Sequence, residues 1–185
     1  ERRAYADRAE YMGDPDFIQD KTSYLISDEY LKSRWKNFSF NKATPSSEVG
    51  KIIKQPKEST ETTHISVIDK NGNAAAVTTT LNGLYGSKVV VSGAGFFLNS
   101  IQPNKRMLSS MTPTIVLKDQ RPYMIVGTPG GTTIPTSVYQ SIVDVIDFKL
   151  NANISVNAPK FHHQWLPETV AFEKNFPETT IKELE

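Results

Sequence analysis

The sequence predicts an α+β fold in which sheet is covered by helices. Three observations carry that expectation: strand-forming runs from Thr62 onward, turn residues between them, and a stretch after Gly130-Gly131 whose apolar residues recur at helical spacing. The chain has 185 residues, the length of one ordinary domain.

From the amino end, residues 1–61 read as polar, aromatic and loop-like, with turn chemistry at Tyr11-Met12-Gly13-Asp14-Pro15-Asp16-Phe17. Within them, Ser27-Asp28-Glu29-Tyr30-Leu31 offers a capped start for a short helix from Ser27 to about Phe38. Asn41 to Glu61 mixes Lys, Pro, Ser, Thr and Glu with few apolar residues, the composition of a solvated, mobile linker. The pattern then changes sharply at Thr62. His64 to Ile68 and Ala74 to Leu81 read as two strands of a hairpin that turns at Asn71-Gly72. Further strands are expected at Lys88 to Ser92, Thr114 to Lys118 and Tyr123 to Val126, the last two joined by a turn at Asp119-Gln120-Arg121-Pro122. Ile134, Val138, Ile142, Val145 and Ile146 then predict a helix from about Thr133 to Phe148, with Pro135 tolerated in its first turn. No internal repeat is visible.

Composition excludes several classes of function. Lys and Arg number 21 against 20 for Asp and Glu, so no excess charge draws the chain to nucleic acid or an anionic membrane surface. The absence of Cys rules out disulfides, thiolate catalysis and thiolate-bound metals. No apolar run approaches the ~20 residues that span a bilayer. Glu1-Arg2-Arg3-Ala4-Tyr5 lacks the apolar core of a signal peptide, so any export signal would lie upstream. Adjacent strand residues point to opposite faces, and the chain has 3 His, so His162-His163 is read as a pair of polar anchors beside Trp165 and no metal is expected.

Thr62 stands where a linker meets a strand. Once the bond before it is cut, a threonine there carries both a hydroxyl nucleophile and an α-amine with a pKa of about 8 that serves as general base. Taken alone, Thr62-Thr63-His64 is a weak motif that reads first as the β-branched start of a strand. Thr78-Thr79-Thr80-Leu81-Asn82 puts a second hydroxyl on the paired strand, within reach of the first. Gly127-Thr128-Pro129-Gly130-Gly131-Thr132 is a glycine pair between strand and helix, suited either to a tight turn or to backbone N–H groups that approach an oxyanion.

Several segments occur in the order found in gamma-glutamyltranspeptidases and resemble them. They are Thr62-Thr63-His64 with Asp69-Lys70-Asn71-Gly72-Asn73, Thr80-Leu81-Asn82, Leu108 to Thr114, Thr128-Pro129-Gly130-Gly131, and Ala158 to Pro167. Upstream, Ala4 to Pro15 is similar to a stretch near the end of that family's large subunit. The resemblance implies an N-terminal-nucleophile hydrolase fold, a four-layer αββα sandwich that is incomplete in this chain. Residues 1–61 would be the end of the large subunit and a linker, and 62–185 most of the small, catalytic subunit. It implies self-cleavage between Glu61 and Thr62, with no cofactor. Thr62 would take the gamma-glutamyl group as an ester and Thr80 would orient its hydroxyl. Asn82, Ser109 and Ser110 would hold the α-carboxylate and α-amino end, and the Gly130 and Gly131 amides would form the oxyanion hole. The implied partners are a gamma-glutamyl donor such as glutathione, water or an amino acid or peptide as acceptor, and the large subunit from the same precursor. The implied location is periplasmic or extracellular.

The pattern departs from the family where Ser100 runs straight into Ile101, since an acidic segment that grips the donor's α-amino group is expected there. That departure fits a first alternative, a related acylase with another acyl specificity and the same Thr62 chemistry, and the unbroken run through Glu61-Thr62 fits a second, a catalytically silent relative or precursor fragment.

Overall fold

The computed structural model describes residues 1–52 and 58–184. The chain divides into two compact units, one made of Glu1–Lys57, Pro103–Leu108 and His163–Val170, the other of Glu58–Gln102, Ser109–His162 and Ala171–Glu185.

The first unit is helical. Its helices are α1 (Arg2–Tyr11), α2 (Thr22–Leu25), α3 (Asp28–Trp35) and α4 (Ser46–Val49). Helix α1 falls where the sequence reads as loop. Arg, Ala and Glu favour helix locally, but only Tyr5 and Ala6 of α1 are buried, too narrow a stripe to show as periodicity. Their core partners are Val49 and Trp165, far away in sequence. Helix α3 starts where expected, with the Ser27 hydroxyl accepting from the Tyr30 N–H at 3.3 Å, and ends at Trp35, short of Phe38. Asp7 ties α1 to α3, accepting from the Tyr30 hydroxyl at 2.8 Å and pairing with Arg34 at 3.0 Å.

The expected solvated linker is corrected by α4. Val49 is 1% exposed, and Ser46 and Trp165 are joined twice, through Trp165 Nε1 to Ser46 O at 2.9 Å and Ser46 Oγ to Trp165 O at 3.2 Å. Gly50 leaves this anchor so close to α1 that a Cβ there would lie 2.8 Å from the Ala6 Cβ. A segment poor in apolar residues thus anchors through one of them. Residues 53–57 of the expected linker lie outside the described residues. Still in this unit, the Asp14 carboxylate accepts from the Arg106 N–H at 2.7 Å, from Arg106 Nη1 at 3.0 Å and from the Asp16 N–H at 3.1 Å.

The second unit holds the sheet. Strands β1 (Thr62–Ile68) and β2 (Ala74–Thr80) form an antiparallel hairpin. Its turn is built on Asp69, whose carboxylate accepts from the Asn71 and Asn73 N–H groups, each at 2.8 Å, with Gly72 at φ +86°. Strands β3 (Thr114–Lys118) and β4 (Arg121–Val126) form a second hairpin, turning at Asp119 and Gln120, both in the left-handed region. Strand β4 therefore begins before Tyr123, and Pro122 sits opposite Leu117, beside a register shift.

The strand expected at Lys88 to Ser92 does not form. Gly93 and Gly95, both at positive φ, turn the chain back on itself, and pairing is limited to a single bridge between Val90 and Phe97. Helix α5 (Ile134–Ile146) follows a 3-10 turn at Gly131–Thr133, within the predicted span and ending short of Phe148. Helix α6 (Ala152–Asn157), missed in the sequence, packs on α5 through small residues, with Ser155 Oγ donating to Ser141 O at 3.3 Å. A two-residue pair, β5 (Phe161–His162) with β6 (Ala171–Phe172), and α7 (Glu178–Leu184) complete this unit.

Candidate active site

Strand alternation decides what surrounds Thr62. Thr62, His64 and Ser66 share one face of β1, and the hairpin register sets Thr80 opposite Thr62 and Thr78 opposite His64. His64 Nδ1 lies 2.8 Å from Thr78 Oγ1, its Nε2 lies 2.9 Å from Ser66 Oγ, and Ser66 donates to Ile125 O at 3.3 Å. The imidazole rests on Gly127, where a Cβ would come within 2.2 Å of the ring. This layer of imidazole and hydroxyls leaves both His64 nitrogens engaged. The sequence alone assigns the His64 side chain no role, although same-face spacing and the hairpin register together set it beside Thr78 and Ser66.

Thr80 connects the site to the bond before Thr62. Its hydroxyl donates to the Glu61 carbonyl and accepts from the Asn82 N–H at 2.9 Å. Asn82 takes φ +62°, a conformation its short polar side chain tolerates. Asn99 Nδ2 donates to the Thr80 carbonyl at 3.0 Å. A cleft of about 260 Å³ opens here, lined among others by Glu61, Thr62, Thr80, Leu81, Gly83 and Tyr85.

The glycine pair lies close to the same stretch of chain. Gly131, at φ +59°, faces the backbone of Ser59 and Thr60, and a Cβ on it would lie 2.7 Å from Ser59 O. Gly130, at φ +137°, starts the 3-10 turn, its carbonyl accepting from the Thr133 hydroxyl at 3.0 Å. Both positions need the conformational freedom of glycine.

Ser109 and Ser110 sit before β3. Ser109 Oγ accepts from the Met111 N–H at 3.0 Å, whereas Ser110 is 3% exposed and its hydroxyl has no partner among the described residues. Such a buried hydroxyl is unfavourable unless something else completes it. The structure thus groups Glu61, Thr62, Thr80 and Asn82, and brings Gly131 to the chain just ahead of them. Among the residues lining the cleft, Asn82, Ser109, Ser110, Gly130 and Gly131 do not appear. His162 and His163 engage separate partners: His162 Nδ1 is 2.8 Å from Thr136 Oγ1, and His163 Nδ1 accepts from the Trp165 N–H at 3.2 Å.

Comparison with known proteins gives one consistent result. The family model for gamma-glutamyltranspeptidase matches residues 1–185. The glutathione hydrolase proenzyme of Escherichia coli (strain K12) is 44% identical over 211 residues, taking in 100% of this chain and 36% of that protein. The chain spans about a third of the length of the curated relatives it matches. Because 211 aligned positions face 185 residues, that relative carries positions for which this chain has none. A solved gamma-glutamyltranspeptidase mutant from Helicobacter pylori shares 42% identity at a TM-score of 0.61, covering 66% of this chain and 79% of that one. The cephalosporin acylase from Bacillus halodurans, 24% identical, superposes at a TM-score of 0.77 over 99% of this chain and 34% of its own, which shows a shared fold. These structures carry the α+β, N-terminal-nucleophile architecture expected from the sequence.

Proposed function

The chain belongs to the gamma-glutamyltranspeptidase family, and from that premise we propose that it is the self-processing catalytic part of a gamma-glutamyl transferase or hydrolase. The observation that carries the reading is the Thr80 hydroxyl donating to the Glu61 carbonyl, directly across the hairpin from Thr62. A hydrogen bond to that oxygen draws electron density from the carbon that Thr62 Oγ would attack.

In self-cleavage, Thr62 Oγ bonds to the Glu61 carbonyl carbon, the Glu61–Thr62 C–N bond breaks, and the hydroxyl proton passes to the departing nitrogen. Water then hydrolyses the ester, releasing the Glu61 carboxylate and a Thr62 with free amine and hydroxyl. In turnover, that amine takes the hydroxyl proton as Thr62 attacks the γ-carbonyl of a donor such as glutathione, and the amine leaving group departs protonated. Water or an amino acid or peptide accepts the acyl group.

Gly130 and Gly131 amides are proposed for the oxyanion, and Asn82, Ser109 and Ser110 for the donor's α end. The unpartnered Ser110 hydroxyl supports the latter. Residues 1–61 are assigned to the large subunit and 62–185 to the small one, and a periplasmic or extracellular location goes with this reading.

The direct step from Ser100 to Ile101 favours a second reading, an acylase whose donor lacks an α-amino group. Full-length protein is therefore assayed on gamma-glutamyl-p-nitroanilide and glutaryl-p-nitroanilide. The main reading expects preference for the first and loss of all turnover in Thr62→Ala. Preference for the glutaryl amide favours the acylase, and turnover by Thr62→Ala removes Thr62 from both.

A further inference from the structure

Asn99 lies beside the site and has no part in the reaction described above. Its side chain is oriented by chemistry: the Thr80 carbonyl can only accept, so the amide nitrogen faces it at 3.0 Å and Oδ1 points the other way. There Oδ1 is buried with no partner among the described residues. A buried acceptor left unmatched is unfavourable, so packing alone gives no reason for an amide at this position.

The segment that carries Asn99 is held by further bonds, one to the residue that follows β2 and two to the stretch Ser87 to Val89. Ser100 N–H donates to Leu81 O at 3.2 Å, Ser87 N–H to Leu98 O at 2.9 Å, and Leu98 N–H to Val89 O at 2.9 Å. Gly86 makes this fit, since any Cβ there would collide with the Leu98 carbonyl. Thr80 is therefore gripped through its carbonyl by a firmly seated side chain, while its hydroxyl reaches from the same residue to the Glu61 carbonyl.

We propose that Asn99 is a positioning residue that acts through Thr80, fixing the end of β2 so that the Thr80 hydroxyl stays aimed at the Glu61 carbonyl. The inference rests on the self-processing reading above. If Asn99 works only through Thr80, its loss has nothing further to remove once the Thr80 hydroxyl is gone, and the two effects do not multiply.

The test is a double-mutant cycle on cleavage of the full-length precursor, followed by intact mass, with thermal unfolding measured alongside. Asn99→Asp keeps the shape but sets a carboxylate against the Thr80 carbonyl. It is expected to slow cleavage about tenfold, the scale of one lost hydrogen bond, and to add no further slowing to Thr80→Ala. Cleavage of Asn99→Asp at the wild-type rate, or slowing that multiplies with Thr80→Ala, overturns the inference. Should Asn99→Asp fail to fold, Asn99→Ala is scored by the same cycle. A wild-type precursor that never cuts overturns the parent reading and this inference together, whereas a cut wild type with unaffected or multiplicative Asn99 variants overturns this inference alone.

Discussion

A threonine hydroxyl can donate one hydrogen bond while accepting others, and at position 80 it does both, between the Glu61 carbonyl and the Asn82 N–H. Removing it leaves Thr62 chemically intact and takes away only aim and polarisation. Thr80→Ala is therefore expected to slow cleavage and turnover by about a hundred- to a thousandfold, the scale of one lost donor at a developing oxyanion, with Thr62→Ala losing both entirely. Equal rates for Thr80→Ala and wild type, followed by release of p-nitroaniline and by intact mass, would remove Thr80 from the site. The facing of Thr62 and Thr80 was legible because Asp69, Asn71 and Gly72 fix the turn, and the turn fixes every pair back along the hairpin. Asn99 was not legible: it arrives on a loop whose pairing amounts to one bridge, and no local pattern encodes that.

Elements whose pattern is local were readable, and elements stabilised by distant partners were not. Helix α5 shows its apolar stripe within its own span, with Ile134 and Val138 buried, whereas α1 owes its place to Val49 and Trp165. Turn glycines carry consequences of the same kind. A methyl group on Gly131 would both strain a φ of +59° and press on the Ser59 carbonyl. Gly131→Ala is accordingly expected to slow precursor cleavage at least tenfold, whereas Gly72→Ala, strained by its φ of +86° but with open space around it and far from Thr62 along the hairpin, is expected to cost stability and to cleave faster than Gly131→Ala; comparable rates for the two would contradict this, read by gel shift. Asp14 supplies one pH-dependent contribution to stability. The Arg106 N–H, then the Asp16 N–H and the Arg106 charge, hold its carboxyl below the usual range. Its contribution to stability is therefore present above the unfolded pKa of about 4 and is lost as pH falls through the lower folded value. Below pH 4, the melting temperature of the wild type should drop more steeply than that of Asp14→Asn. Parallel curves would mean that the Arg106 contacts contribute nothing.

Among the described residues of the whole chain, one apolar sheet face has no cover. The inner face of the first hairpin holds Thr62, His64 and Thr80, while Ile65, Val67 and Val77 on the other face are each more than half exposed. An apolar strand face open to solvent is a surface for association. These 185 residues expressed alone are expected to self-associate, and Ile65→Thr with Val67→Thr to reduce it; a monodisperse monomer by light scattering would contradict that. The α+β class was legible because hairpins and α5 announce themselves locally, and the family architecture because its motifs occur in order. What covers the hairpin's outer face is not written in strand periodicity. All of this depends on Thr62 being a residue that frees itself. The most direct measurement is the intact mass and amino-terminal sequence of the purified full-length protein. Two chains are expected, one beginning at Thr62; a single chain uncut between Glu61 and Thr62 would contradict self-processing at this bond.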